Sequence, residues 1–145
     1  MTHHVVVSGS PRTKKTSNVV TTVKGRHIVL PSQDWREWCR DAEIKIDGCA
    51  FMRHRGGAPR LIDGEPPTIW KALELPLNCA AVFYLGNRQH GDTVGYMQGL
   101  ADLLQERQVV ENDRFLATWD GSRLVHDGST PRVELTLEPL PLVLT

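Results

Sequence analysis

Apolar residues fall along this chain in short segments, and their spacing distinguishes strands from helices. A β-branched run at His3–Gly9 stops at Gly-Ser-Pro and predicts a first strand. Two further apolar pieces, Val19–Val23 and His27–Leu30, flank Lys24-Gly25 and predict a basic hairpin. Apolar residues then recur at helical spacing, so a helix is expected from about Asp34 to Ile46.

The second half of the chain has a more regular pattern. Leu77–Leu85 is apolar almost throughout, which is typical of a central strand buried on both faces. Asp92 is a good N-cap for a helix that ends near Glu106. Strand-like segments follow at Phe115–Trp119 and Arg132–Leu137, separated by turn-rich residues. The helix would bury apolar positions at helical spacing: Val94, Met97, Leu100, Ala101 and Leu104.

The elements together predict an α+β fold. Two main helices would pack on a small mixed sheet, and residues 1–145 would form a single domain. Glycine and proline are frequent between Asp47 and Pro76, and the periodicity fades there. We therefore expect a long irregular insertion at residues 47–76, which could hold a short strand or a turn of helix.

The composition narrows the class of protein. The chain has 145 residues, 40% hydrophobic and 23% charged, which suits one globular domain. Lys and Arg together number 17, and so do Asp and Glu together, so the net charge is zero. A DNA-binding surface would therefore need a local asymmetry of charge or oligomerisation. No signal-peptide pattern or long apolar run is present, so we expect a cytoplasmic protein without membrane contact. Three cysteines without C-x-x-C spacing are expected to be buried, reduced thiols.

Three aspartates within residues 91–113 could form a cation site. Asp92 stands at the helix start, Asp102 lies on the helix, and Asp113 follows its end. Hard cations such as Mg²⁺ prefer carboxylate oxygens. About 15 Å of helix rise and about 80° of rotation separate Asp92 from Asp102, so Asp92 with Asp113 is the expected metal pair. On pattern alone, Asp92 is equally well a helix cap, and Asp113 more often a solvated turn residue.

The motifs follow one another in a fairly specific order. An apolar strand, Gly-Asp, a helix with L-x-D-L-L, then V-V-x-N-D and P-R-V-E-L occur in turn, and S-G-S-P-R-T-K-K follows the first strand. This order resembles the RusA family of Holliday-junction resolvases, over most of the chain except roughly residues 47–76. The resemblance implies a homodimeric, Mg²⁺-dependent endonuclease that binds four-way DNA junctions and nicks opposing strands. It assigns the family's first acid to Asp92, its helix acid to Asp102 and the second member of its acidic pair to Asp113.

The chain also departs from the family pattern. Val94 stands where the family has its second Asp, and Gly95 stands where it has Asn. Gln98 replaces the family's Lys, and Asn112 replaces the first residue of its acidic pair. Losing a carboxylate should weaken cation binding. Asp120, in W-D-G-S-R, is the expected substitute catalytic acid, ahead of Glu111. An aspartate in such a turn is about as readily a simple turn residue.

Basic residues beside these motifs are candidates for DNA phosphate contact. Arg12, Lys14 and Lys15 lie in a hydroxyl-rich loop, and Arg88 and His90 immediately precede the acid site. A second basic group lies in the expected insertion: Arg53, His54, Arg55 and Arg60. Taken singly, each of these residues is more often a solvated surface charge.

Two other functions remain open from the sequence. One is a RusA-like protein that binds junctions with weak or no cleavage, because Val94 and Gln98 replace a carboxylate and a cation. The other, more distant, is an adaptor protein whose acids serve only as caps and turns.

Overall fold

A mixed β-sheet carries the fold. The computed structural model describes residues 1–14, 19–30, 32–53, 58–63, 68–89 and 91–141. Its helices are α1 (Gln33–Asp41), α2 (Thr93–Glu106) and a short 3₁₀ helix, Asp113–Phe115. Eleven strands lie in the described ranges: β1 (His3–Ser8), β2 (Val19–Val23), β3 (Arg26–Leu30), β4 (Ile44–Ile46), β5 (Cys49–Met52), β6 (Arg60–Ile62), β7 (Thr68–Ile69), β8 (Leu77–Leu85), β9 (Leu116–Thr118), β10 (Arg123–His126) and β11 (Arg132–Pro139).

Nine of these strands form one sheet in the order β10-β8-β11-β1-β4-β5-β6-β7, with β9 also paired to β8. β2 and β3 form a separate antiparallel hairpin, as predicted. Its turn residues, Lys24 and Gly25, both have positive φ, which suits a two-residue hairpin turn. The predicted α+β class is confirmed: a mixed sheet and two helices form one compact domain. Neither helix in the described ranges is long and apolar enough to cross a membrane.

The centre of the sheet is built from the most apolar strands. β8 pairs antiparallel with β11, from Leu77 opposite Pro139 to Tyr84 opposite Arg132, and β11 pairs antiparallel with β1. Alternate side chains of β8 are fully buried: Leu77, Cys79, Ala81, Phe83 and Leu85. The residues between them are half-buried. The predicted central strand is therefore present, but only one of its faces is fully covered.

The first helix is shorter than the sequence predicted. The Ser32 hydroxyl caps α1 by accepting from the Trp35 N–H at 3.2 Å. Ala42, with ψ 131°, ends the helix, and the next residues form β4, which pairs with β1. The predicted extension to Ile46 is wrong because Ile44 and Ile46 are fully buried when β4 pairs with β1. A long-range strand pairing here overrides the local helical spacing.

The described part of residues 47–76 contains three short strands, so the predicted insertion is wrong in its irregularity beyond the one short strand that it allowed. Asp47 and Gly48 have φ of 52° and 84° and form the tight turn between β4 and β5. β5, β6 and β7 then extend the sheet with antiparallel pairing. These strands have only two to four residues, too few for a recognisable alternation. β7 is the edge strand at one end of the sheet, and its Ile69 is 76% exposed.

α2 lies over the buried face of the central strands, where Tyr96 packs against Phe83 with ring centroids 5.8 Å apart. Its buried residues are Tyr96, Gly99, Leu100, Ala101, Leu103 and Leu104. Val94, which the sequence placed on the buried stripe, is 70% exposed. That prediction is wrong because the buried stripe is centred on Tyr96, Leu100 and Leu103. Val94 precedes Tyr96 by two residues, which rotates it about 200° around the axis.

The last part of the chain agrees with most of the prediction. β9 falls inside the predicted Phe115–Trp119 strand, and β11 covers the predicted Arg132–Leu137 and continues to Pro139. The turn-rich segment between them also contains β10, which pairs parallel with β8 and was not predicted. Both ends of β10 are exposed and polar, so its sequence lacks the apolar pattern of a buried strand.

The three cysteines are free thiols, as expected. Burial is the main cause that raises the pKa of the Cys39 thiol to about 11, and burial also raises the pKa of Cys79. Both thiols are therefore protonated and unreactive at neutral pH. Cys49 departs from the expectation because it is only half-buried.

Gly99 sets the distance between α2 and the loop that follows β1. A Cβ at this position would lie 2.3 Å from the Arg12 carbonyl oxygen. Overpacking typically costs about 1–3 kcal/mol, and alanine gains about 1 kcal/mol of helix propensity over glycine. Because the short contact is to backbone, we expect Gly99→Ala to lower the free energy of unfolding by about 1–2 kcal/mol.

Urea unfolding measures this change, and Gly86→Ala is the matched control because nothing lies within 4 Å of its added Cβ. Equal stability of the two variants would contradict the close approach at Gly99.

Candidate metal and phosphate site

Asp102, Lys14 and Asp113 form a charged group where α2 meets the loop after β1. Lys14 Nζ lies 3.2 Å from Asp102 Oδ2 and 4.7 Å from the centroid of the Trp35 ring. The Trp35 indole N–H in turn donates to the Gly99 carbonyl at 3.0 Å. Lys14 is therefore positioned by contacts with both helices and is not a freely solvated charge.

The carboxyl group of Asp102 has a raised pKa. Burial is the largest cause, since its side chain keeps only 20% of its surface exposed. Lys14 lowers the pKa, whereas the neighbouring carboxylate of Asp113 raises it. A partly desolvated carboxylate beside a second one is stabilised by additional positive charge. This environment is typical of acids that bind a cation or transfer a proton.

Asp113 reaches this position because its backbone is fixed to α2. The Asp113 N–H donates to Gln105 Oε1 at 2.8 Å, at the start of the 3₁₀ helix. Asn112 caps that short helix by accepting from the Arg114 N–H at 3.0 Å. The Asn112 side-chain oxygen is thus engaged by the backbone. The Asp113 residue remains exposed.

Asp92 occupies the other end of α2. It is the N-cap, and its Oδ1 accepts from the Gly95 N–H at 2.5 Å. Within the described residues, the acid that interacts with Asp113 is Asp102, and no hydrogen bond or ion pair joins Asp92 to Asp113. The structure brings Asp102 and Asp113 together, and we call these two residues the acid pair.

The two substitute acids lie elsewhere. Asp120 follows β9, where its N–H donates to Asn78 Oδ1 at 2.9 Å and its carbonyl accepts from Asn78 Nδ2 at 3.1 Å. Asn78 is near the start of β8, whereas Asp92 follows the end of that strand. The Glu111 N–H donates to the Leu73 carbonyl, which places this residue beside the sheet. Neither acid has a described contact with the acid pair.

An open depression of about 260 Å³ lies beside the acid pair. Its lining residues come from one face of α2 and from the segment that follows it: Val94, Met97, Gln98, Ala101, Asp113, Leu116 and Trp119. The resemblance places a carboxylate and a lysine at positions 94 and 98. This chain has the exposed residues Val94 and Gln98 there. Asp113 is the one carboxylate among these lining residues.

The predicted phosphate-contact residues are only partly gathered at the site. Arg12 lies in the same loop as Lys14, with its Nη1 4.0 Å from Asp34 Oδ2. Arg88 is exposed in the turn after β8. Lys15 and His90 lie outside the described residues, as do His54 and Arg55 of the second basic group.

The two described members of the second basic group differ in their contacts. Arg53 donates to the Glu106 carbonyl. The Nε of Arg60 is buried and has no hydrogen-bond partner among the described residues.

The donor set can be tested against a divalent cation. Among the described ranges, no cluster of three or more His, Cys, Asp or Glu side chains is present. Mg²⁺ is commonly held by one or two carboxylates while water and phosphate supply its other ligands. The acid pair fits this mode of binding. Two carboxylates do not supply enough ligands for a site made of protein atoms alone.

Local sequence pattern could not reveal the contact between Lys14 and Asp102. The two residues are 88 positions apart, and their meeting depends on how α2 packs against the loop after β1. The usable signal was glycine at position 99, since a glycine inside an amphipathic helix often marks a close approach.

The raised pKa of Asp102 predicts a pH-dependent stability difference. Below pH 3.8, the ordinary value for Asp, the group is protonated in both states, and Asp102→Asn should resemble the native chain. As pH rises through the raised folded-state pKa, the native chain pays for an ionised, half-buried carboxylate. We expect Asp102→Asn to become the more stable protein over that interval and to stay so at neutral pH.

Urea unfolding from pH 3.5 to 7.5 in EDTA would measure this difference between the two proteins. Asp34→Asn, at an exposed carboxylate, controls for general charge effects. If Asp102→Asn instead loses stability relative to the native protein as the pH rises, the assigned environment of Asp102 is contradicted.

Comparison with models of protein families and with curated protein sequences found no match.

Proposed function

We propose that this protein is a metal-dependent endonuclease of the RusA type that acts on four-way DNA junctions. The observation that supports the proposal most directly is the acid pair beside Lys14, at the base of a loop that also carries Arg12. Two carboxylates and a lysine beside an open surface are suited to cutting a phosphodiester. In place of the Asp92–Asp113 pair expected from the sequence, we propose Asp102 and Asp113 as the metal ligands.

Each residue has a defined part in this proposal. Asp102 and Asp113 would hold Mg²⁺, which supplies a Lewis acid and lowers the pKa of a bound water. Lys14 balances the charge of Asp102 and can shift its ammonium toward a DNA phosphate, since its side chain is one-third exposed. Arg12 adds a second cation in the same loop. Asp92 keeps the start of α2 in place as its cap.

The proposal includes a homodimer in the cytoplasm. A four-way junction presents two equivalent strands for cleavage, and a two-fold dimer places two acid pairs in matching positions. With equal numbers of acidic and basic residues, one subunit has little overall attraction for DNA. Joining two basic loops on one surface increases that attraction locally.

Incubation of a labelled four-way junction with and without Mg²⁺, beside a linear duplex of the same sequence, tests the proposed activity. We expect paired nicks in the junction only when Mg²⁺ is present. Asp113→Asn should reduce the rate more than about 100-fold, because even loss of an outer-shell partner costs about 10–100-fold.

Asp92→Asn is the matched control in this assay. Asparagine caps helices as well as aspartate does, so the variant should fold normally and cleave at close to the native rate. Loss of cleavage in Asp92→Asn at unchanged melting temperature would assign Asp92 to the metal and overturn the proposed pair.

A second candidate function is junction binding with little cleavage. The observation that favours it is the depression itself, where an exposed valine and glutamine occupy positions that the resemblance gives to a carboxylate and a lysine. Fewer carboxylates mean weaker binding of a hard cation. In this case the junction would be bound in EDTA and would remain intact after Mg²⁺ is added.

Val94→Asp tests whether the depression can be turned into a stronger cation site. Because Val94 is 70% exposed, the variant should melt near the native temperature in EDTA. With Mg²⁺, we expect a larger rise in melting temperature than in the native protein. A ligand at 100 times its dissociation constant adds about 2.7 kcal/mol of stability.

Val94→Asn is the control, since it has a similar size and polarity without the charge. If Mg²⁺ raises the melting temperatures of the two variants equally, position 94 does not contribute to a cation site.

A further inference from the structure

Trp119 differs from the other three tryptophans in how its indole is used. The indole N–H groups of Trp35, Trp38 and Trp70 each donate to a backbone carbonyl, at 3.0 to 3.2 Å. No described residue accepts a hydrogen bond from the indole N–H of Trp119, and this side chain lines the depression on α2. Its ring is only partly buried against the core. Trp119 therefore offers an aromatic surface and a polar edge that the fold does not use.

We propose that the depression binds one nucleobase that has left the base stack at the branch point of a DNA junction. This inference rests on the proposed action on junctions. Trp119 and Met97 supply apolar surface for the flat face of the base, and Val94 forms an exposed apolar rim. Aromatic side chains bind single bases in this way because every base has a π-face. Val94, which stands where the resemblance places a carboxylate, thus weakens the cation site and also makes the rim of the depression apolar.

The polar atoms at the depression match the edge of a base. Gln98 offers an amide that both donates and accepts, and Asp113 offers a carboxylate that accepts. Base edges combine donors and acceptors in the same plane, which is the pattern that Gln and Asp side chains recognise in DNA. The apolar walls and polar rim therefore suit a base better than they suit an aliphatic ligand.

The size and position of the depression also fit a single nucleotide. Its volume of about 260 Å³ lies below the range of drug-sized pockets, which begins near 300 Å³. Asp113 belongs both to the depression and to the acid pair, and Lys14 lies 3.2 Å from the other acid. A nucleotide whose base is bound there would place its phosphate near Lys14 and the acid pair. Unpaired or unstacked bases are the least costly to extrude.

Photocrosslinking tests the inference without any requirement for cleavage. A four-way junction carrying 5-iodouracil at one branch-point position is bound to the native protein in EDTA, irradiated, and the crosslinked peptide is identified by mass spectrometry. We expect crosslinks to Trp119 or Met97 from the junction, and none from a linear duplex with the same substitution. Binding of each DNA is measured in parallel by fluorescence anisotropy.

Variants add a quantitative readout to the crosslinks. Trp119→Ala should weaken junction binding by about 5- to 150-fold, the range for loss of one base–aromatic stack, and Trp119→Phe should restore most of it. Ile69→Ala, which removes an exposed apolar side chain from β7, should bind as the native protein does. The crosslink to the native protein decides the matter even where Trp119→Ala fails to fold.

The outcomes separate this inference from the proposed function. Junction-selective binding with crosslinks elsewhere, or with none, would overturn the base site and leave the proposed function standing. Crosslinks at Trp119 from single-stranded DNA without any preference for junctions would support the base site and count against junction resolution. A change in sedimentation of Trp119→Ala from dimer to monomer, with crosslinks elsewhere, would assign the depression to contact between subunits and overturn the base site.

Discussion

The close approach of α2 to the loop after β1 is the constraint on which the candidate site depends. At Gly99 the helix has no Cβ, so the Arg12 backbone lies against it, and the Trp35 indole fixes the same point by bonding the Gly99 carbonyl. One helical turn further on, this contact lets Lys14 reach Asp102. A displacement of the loop would lengthen the ion pair between Lys14 and the half-buried Asp102. Packing between two backbone segments therefore determines the electrostatics of the site.

Asp113 connects two environments with opposite requirements. Toward Asp102 it faces a charged group, where water and cations are favoured. Toward Trp119 and Met97 it borders a surface that favours a flat apolar group. The hydrogen bond from the Asp113 backbone N–H to the Gln105 side chain keeps the carboxylate at this border. In the proposed complex, a nucleotide would present its phosphate to one side of Asp113 and its base to the other.

The parts of the fold that were predictable are those determined by local pattern. The β-branched run of β1, the apolar β8 and the Asp92 cap of α2 were all recognised because their residues act within a few positions of one another. The Asp47-Gly48 turn carried a usable hairpin signal that was overlooked. By contrast, Ile44–Ile46 has helical spacing and becomes a strand only when it pairs with β1. Local pattern does not contain that information.

The candidate site was predictable to a smaller degree. Asp102, Asp113 and Lys14 were each identified as candidates from the sequence, but their grouping depends on two lateral contacts, at Gly99 and at Gln105. Helix geometry correctly separated Asp92 from Asp102 by several turns. It could not show which of them Asp113 would meet, because the return path after α2 is set by the bond to Gln105. Residue types were thus visible in the sequence, while their arrangement required the packed structure.

The shortness of β7 has a consequence for how copies of this protein can associate. Sheets join edge to edge when a long unpaired strand offers a row of backbone donors and acceptors to a neighbour. β7 offers only the two residues Thr68–Ile69 at that edge, too little backbone to template another strand. An assembly that used this end of the sheet would therefore be held by side chains and not by strand pairing. Such an interface can be altered by surface substitutions without disturbing the hydrogen bonds of the sheet.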